Sequence, residues 1–156
     1  MKSRSVILFL LLVMSCSQEK SFHPVDLSSY GIPLGILAPD SIRVVKKEYD
    51  MVNDFLISFP PGMEIQVFET DTSHHDPEVI KYEMLGMILE EPSFREIVSE
   101  DSNGFIYKRK LTGMEPDYDF RLVRLAGGKQ YVFQASLSRS YDLDEITMLY
   151  TLTKGQ

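Results

Sequence analysis

The chain has 156 residues, 23 acidic and 16 basic, with a formal net charge of −7. That balance argues against nucleic-acid binding, which draws on basic surfaces, and against adhesion of the folded body to anionic lipid. A single cysteine and no tryptophan leave no disulfide staple and count against a sugar-stacking module.

Residues 1–15 have the three parts of an export signal. Lys2 and Arg4 give a positive start, Val6 to Met14 (VILFLLLVM) is a continuous apolar run, and small Ser15 precedes Cys16. At about 1.5 Å per residue the run spans roughly 14 Å, about half a bilayer core. It therefore reads as the apolar part of a removable signal and not as a membrane span. Val13, Ser15 and Cys16 resemble the lipobox of bacterial lipoproteins, with Met14 at the variable position. The resemblance implies that residues 1–15 are removed and that the thiol of Cys16 carries a diacylglyceryl group. Further acylation of the freed amine then makes this covalent lipid the membrane anchor, with no other cofactor expected. Two or three acyl chains at ~0.8 kcal/mol per buried CH₂ hold firmly. Ser17 stands where Asp often marks inner-membrane retention, so the implied address is the outer membrane of the cell envelope, facing the periplasm or the surface. Loss of Lys2 and Arg4 with the signal moves the net charge from −7 to −9.

Residues 16–29 are polar and aperiodic and read as a lipidated tether. Residues 30–156 then form a single α+β domain, long enough to bury roughly two-thirds of its chain surface. Ile32 to Pro39 and Ile42 to Lys47 read as two short strands parted by Pro39-Asp40. Phe55, Ile57 and Phe59 alternate onto one face of a third strand, which Pro60-Pro61-Gly62 stops. Glu64 to Thr70 resumes, with Ile65 and Val67 on one side and Phe68 on the other. Asp76-Pro77-Glu78 predicts a helix start: Asp76 caps, Pro77 suits the first turn, and Glu78 complements the dipole. Ile80, Met84, Met87 and Ile88, widened by Leu85 and Leu89, predict a helix laid flat on a sheet and ended before Pro92.

Phe94 to Glu100 and Phe105 to Leu111 flank Asp101-Ser102-Asn103-Gly104, a hairpin signal. Asp119 to Leu125 and Gln130 to Leu137 form a second hairpin around Gly127-Gly128, with Tyr131, Phe133, Ala135 and Leu137 on one face. Asp142, Asp144 and Glu145 open a second helix with a capping box. Ile146, Leu149, Tyr150 and Thr153 share its buried face, and Lys154-Gly155 closes it. Four strands, a helix, four strands and a helix, joined by short turns, predict an antiparallel β-sheet of about seven or eight strands with two helices packed on it.

The stretch from Phe55 to Met63 (FLISFPPGM), the order of the middle helix, later hairpins and closing helix, and the stretch from Tyr131 to Ser136 (YVFQAS) together resemble the PsbP-like (Mog/PsbP) superfamily over residues 50–154. The resemblance implies a PsbP-like sandwich, the shape of a photosystem II extrinsic subunit, a Ran-binding nuclear protein and many bacterial lipoproteins. It implies a shape and no chemistry, so no functional residue is carried over. A cystatin-like sheet wrapped on one helix is the alternative.

His74-His75-Asp76, with Asp71 nearby, is the nearest approach to a metal cluster. Adjacent side chains point apart in a strand and lie about 100° apart on a helix, so the competing reading is a polar loop entering a helix cap. Glu115, Asp117 and Asp119 alternate as Ca²⁺ ligands can, but without EF-hand spacing, and read as a solvated strand entry. Lys108-Arg109-Lys110 either pairs with an acidic partner or blunts an edge strand; the second is expected. No Gly-x-Ser-x-Gly, Ser-x-x-Lys or His-Glu-x-x-His motif occurs, so no enzyme is expected. The leading expectation is a non-catalytic module docking on an envelope protein through an exposed apolar patch rimmed by charge. The alternative is a carrier of a small apolar ligand, held in a pocket between the Met84–Ile88 helix face and the Tyr131–Leu137 strand. A hydrolase built from scattered Ser, His and Asp ranks last.

Overall fold

In the computed structural model, which describes residues 21–60, 62–110, 113 and 115–155, side-chain alternation along the strands decides both faces of one large sheet. The export signal, Cys16, the first tether residues, Pro61 and Leu111 lie outside the described residues. In chain order the elements are β1 (His23–Asp26), β2 (Gly35–Ala38), β3 (Arg43–Glu48), β4 (Asn53–Phe59), β5 (Met63–Asp71), α1 (Pro77–Leu89), β6 (Phe94–Glu100), β7 (Gly104–Arg109), β8 (Asp117–Ala126), β9 (Lys129–Ala135) and α2 (Leu143–Lys154). Seven strands pair in the order β3-β4-β5-β9-β8-β7-β6, every neighbour antiparallel. β1 and β2 form a separate two-stranded antiparallel sheet. The expected α+β architecture is the one observed, with two helices packed on the seven-stranded sheet.

The helices lie on opposite faces. Phe55, Ile57, Ile65, Val67, Phe120, Leu122, Tyr131 and Phe133 join Ile146, Leu149 and Tyr150 of α2 in the larger core, which Leu27, Ile32 and Ile36 of the small hairpin complete. On the other face Phe105 and Tyr107 of β7 pack with Ile88, Met84 and Leu85 of α1 and with Phe94 and Ile97 of β6. No helix among the described residues is long and apolar enough to cross a membrane.

Local signals explain the boundaries. Asp76 accepts from the Glu78 backbone N–H at 2.9 Å, with proline in the first turn. Asp142 and Glu145 close the capping box reciprocally, at 2.8 and 3.1 Å, and Gly155 ends α2 with φ +68°. In the β6–β7 turn Asp101 accepts from the N–H groups of Asn103 and Gly104, each at 3.0 Å. Gly104 is glycine because of crowding: a Cβ there would stand 2.3 Å from the Arg121 carbonyl oxygen and 2.6 Å from the Tyr150 hydroxyl.

Three expectations need correction. Residues 23–26, read as tether, form β1, and Leu27 is fully buried, so the core begins before residue 30. A strand of this length carries too little alternation to be seen; its pairing of His23 with Ala38 through Asp26 with Gly35 holds it. The Ile32–Pro39 strand is shorter than expected and belongs to that small sheet. Leu137 lies past the end of β9 and is 67% exposed, because β9 stops at Ala135.

Candidate docking face

α1 carries apolar side chains all round, a pattern that ordinarily belongs to a helix buried on every side. Ile80, Met84 and Ile88, spaced four apart, are the side turned inward: Ile80 and Ile88 are buried, and Met84 packs against the β7 cluster. Val79, Tyr82, Gly86 and Leu89, spaced three, four and three apart, line the opposite side. Val79, Tyr82 and Leu89 are 42%, 53% and 51% exposed; Met87, 61% exposed, lies apart from them, beyond Glu83 and next to Met84. The broad stripe predicted to lie flat on the sheet is thus only half covered. Leu89 points away, and Met87 stands at the open edge of the covered side, because a flat sheet reaches one side of a helix cylinder.

Gly86 sits at the centre of the exposed stripe. Its φ is not positive, and a Cβ there would meet nothing within 4 Å. The fold therefore neither needs its conformational freedom nor its lack of a side chain. On the helix surface its neighbours three and four residues away are Tyr82, Glu83, Leu89 and Glu90, so Gly86 is the floor of a notch with an apolar wall and an acidic one.

The exposed charged side chains of α1 and of the two residues that follow it are acidic. Glu78 and Glu83 lie on the helix, and Glu90 and Glu91 follow it. The one lysine of α1, Lys81, is 1% exposed. It folds inward to donate to Glu100 at 2.8 Å and to the Asp101 carbonyl at 3.1 Å. Burial opposes its charge, but the contacts with Glu100 and Tyr82 together outweigh that and raise its pKa. Its ammonium also lies 3.7 Å from the centroid of the Tyr82 ring, a cation–π contact that holds the ring in place.

The histidine pair does not converge on an ion site. Asp76 is engaged as the α1 cap, His75 is exposed, and His74 Nε2 lies 3.6 Å from Glu83 Oε1. No group of three His, Cys, Asp or Glu side chains among the described residues is placed to hold a metal.

The basic run is divided by strand alternation. Lys110 is exposed, and Lys108 is 3.5 Å from Glu96 of the neighbouring strand. Arg109 turns inward and makes a paired contact with Asp117, Nε and Nη2 each donating at 3.0 Å, and donates to Asp119 at 3.3 Å. Asp117 and Asp119 are therefore buried counter-charges and not a solvated strand entry; Glu115 stays exposed. β7 is not an edge strand either, since β6 covers it, so the edge-blunting reading of Lys108-Arg109-Lys110 fails. The true edges are β3, with Arg43, Lys46, Lys47 and Glu48, and β6, with Arg95, Glu96 and Glu100 and two register shifts. Charge and irregularity of this kind discourage strand addition.

The two surfaces expected to enclose a carried ligand do not face each other. Met84, Leu85 and Ile88 pack on β7, whereas Tyr131, Phe133 and Ala135 lie in the α2 core across the sheet. No protein-family model matches this chain, and no curated protein does.

Proposed function

We propose that the chain is a lipid-tethered, non-catalytic docking module of the bacterial cell envelope, and that its contact surface is the outer side of α1. One observation carries the reading: an apolar helix face about half exposed at Val79, Tyr82 and Leu89, framed by glutamates, on a helix whose inner side is already packed. A rimmed apolar patch of this kind marks a partner surface. The charged β3 and β6 edges leave the helix as the better surface for contact. The apolar run before Cys16 supports delivery to a membrane, where the lipid confines the module near its partner and raises the effective concentration. The antiparallel sheet with its two helices is compatible with the PsbP-like resemblance as a shape, and that resemblance carries no chemistry with it.

The test is a Tyr82→Asp/Leu89→Asp variant with Cys16 intact. Both side chains are about half exposed and Lys81 keeps its bonds to Glu100 and the Asp101 carbonyl without the Tyr82 ring, so the variant should keep its thermal melt and its lipid label. After mild detergent extraction the native protein should sediment in a larger assembly and the variant alone. A variant that sediments with the native protein, or a native protein that sediments alone, contradicts the proposal.

A further inference from the structure

We infer that the partner is itself a helix, crossing α1 at Gly86 with its backbone close and presenting lysine or arginine side chains to Glu83 and Glu90. The inference rests on the docking reading above and adds the chemistry of what docks.

Gly86 carries the first half. Glycine inside a helix is unfavourable unless a positive φ or a crowded neighbour requires it. Neither holds here, since φ is not positive and the space around a Cβ is empty. What remains is close approach from outside the chain. Helix axes pack 8–10 Å apart according to the side chains at the crossing, and a glycine between Tyr82 and Leu89 forms a hole that a small knob of a facing helix fills.

The glutamates carry the second half. Glu78, Glu83, Glu90 and Glu91 surround or follow the stripe, while the only α1 cation is turned inward onto Glu100. A second copy docking by the same face would set these glutamates against each other across a two-fold axis. An anionic lipid surface would be repelled in the same way. A basic helix satisfies both walls of the notch: apolar contact with Tyr82 and Leu89, and ion pairs with Glu83 and Glu90.

The experiment uses residues 16–156 carrying Cys16→Ser, which retains every strand and helix among the described residues. Three helical peptides share one leucine–alanine stripe and differ only in having lysine, glutamine or glutamate flanks. Fluorescence anisotropy at low salt should rank them lysine, then glutamine, then glutamate, with steps of about tenfold, since each tenfold is one modest charge contact. Gly86→Leu and Tyr82→Ala should each weaken the lysine peptide by about tenfold or more. Glu83→Lys/Glu90→Lys should transfer the preference to the glutamate peptide. Equal binding of all three peptides that still depends on Tyr82 overturns the basic partner and leaves the docking face standing. Unchanged binding by Gly86→Leu overturns the close crossing. Binding indifferent to Tyr82, Gly86 and the glutamates together overturns the docking face as well. Self-association of the protein that Tyr82→Asp abolishes identifies a second copy as the occupant and also overturns the inference.

Discussion

Asp119 is fully buried, and its carboxylate accepts only from groups that the fold holds in place. Tyr107 donates at 3.1 Å, Arg109 at 3.3 Å and Arg121 at 2.8 Å, while the backbone N–H groups of Phe120 and Ala135 donate at 2.8 and 3.1 Å. With Arg109 also on Asp117, two guanidinium groups meet two carboxylates and the cluster is formally neutral. Removing one member of such a set leaves a charge unpaired and costs about 3–5 kcal/mol, whereas the intact set need not exceed an apolar core in stability. Burial and the Asp119 carboxylate push the Tyr107 phenol well above its ordinary range, so it stays a donor. Glu69 is a second buried carboxylate, 5% exposed. Burial raises its pKa, but hydrogen bonds from Lys129 and Asn53 outweigh that and bring it below the ordinary 4.5. A depressed carboxylate pKa stabilises the fold above the unfolded value and loses that contribution as pH falls through the folded value. Denaturation midpoints of the native chain should therefore fall as pH drops below 4.5, and Glu69→Gln should flatten that acid limb. An acid limb unchanged by Glu69→Gln would remove Glu69 from the account.

At the scale of elements, β1 shows what non-local pairing adds. The small β1–β2 hairpin places Leu27, Ile32 and Ile36 against α2 and the large sheet. Leu27 is fully buried, so Leu27→Ala should cost about 2–5 kcal/mol in urea denaturation. A loss under about 1 kcal/mol would mean that the hairpin is an appendage and that the body does start near residue 30. The parts of the fold legible in the sequence are those whose cause is local. Asp76 and Asp142 cap the N–H groups beside them, Asp101 through Gly104 close their own turn, and Phe55, Ile57 and Phe59 alternate within one strand. β1 was not legible, because four residues including Pro24 owe their conformation to Gly35–Ala38. The burial of Asp117 and Asp119 is not legible in the sequence, because it depends on Arg109 brought alongside from the paired strand β7. The docking face was half legible. The apolar residues of α1 stand out in the sequence, but which of them a sheet covers is settled only by the packing of Ile88 on Phe105 and Tyr107.

For the whole molecule, the two faces of the sheet divide the work. One face, closed by α2 and the β1–β2 hairpin, holds most of the apolar core and sets stability. The other carries the buried ion cluster and α1, whose outer side presents Val79, Tyr82 and Leu89. An acidic body repels anionic membrane, so in the proposed arrangement the lipid on Cys16 supplies residence and the helix supplies selectivity. The most direct test is site-specific photocrosslinking in intact cells expressing the chain with its export signal and Cys16 intact, with the crosslinking side chain at Tyr82, at Leu89, and at Met51 as control. Met51 is 85% exposed between β3 and β4, away from α1 in the fold. The account predicts one adduct of the same mass from Tyr82 and Leu89 and none from Met51. Equal adducts from all three positions, or none from Tyr82 and Leu89, would contradict it.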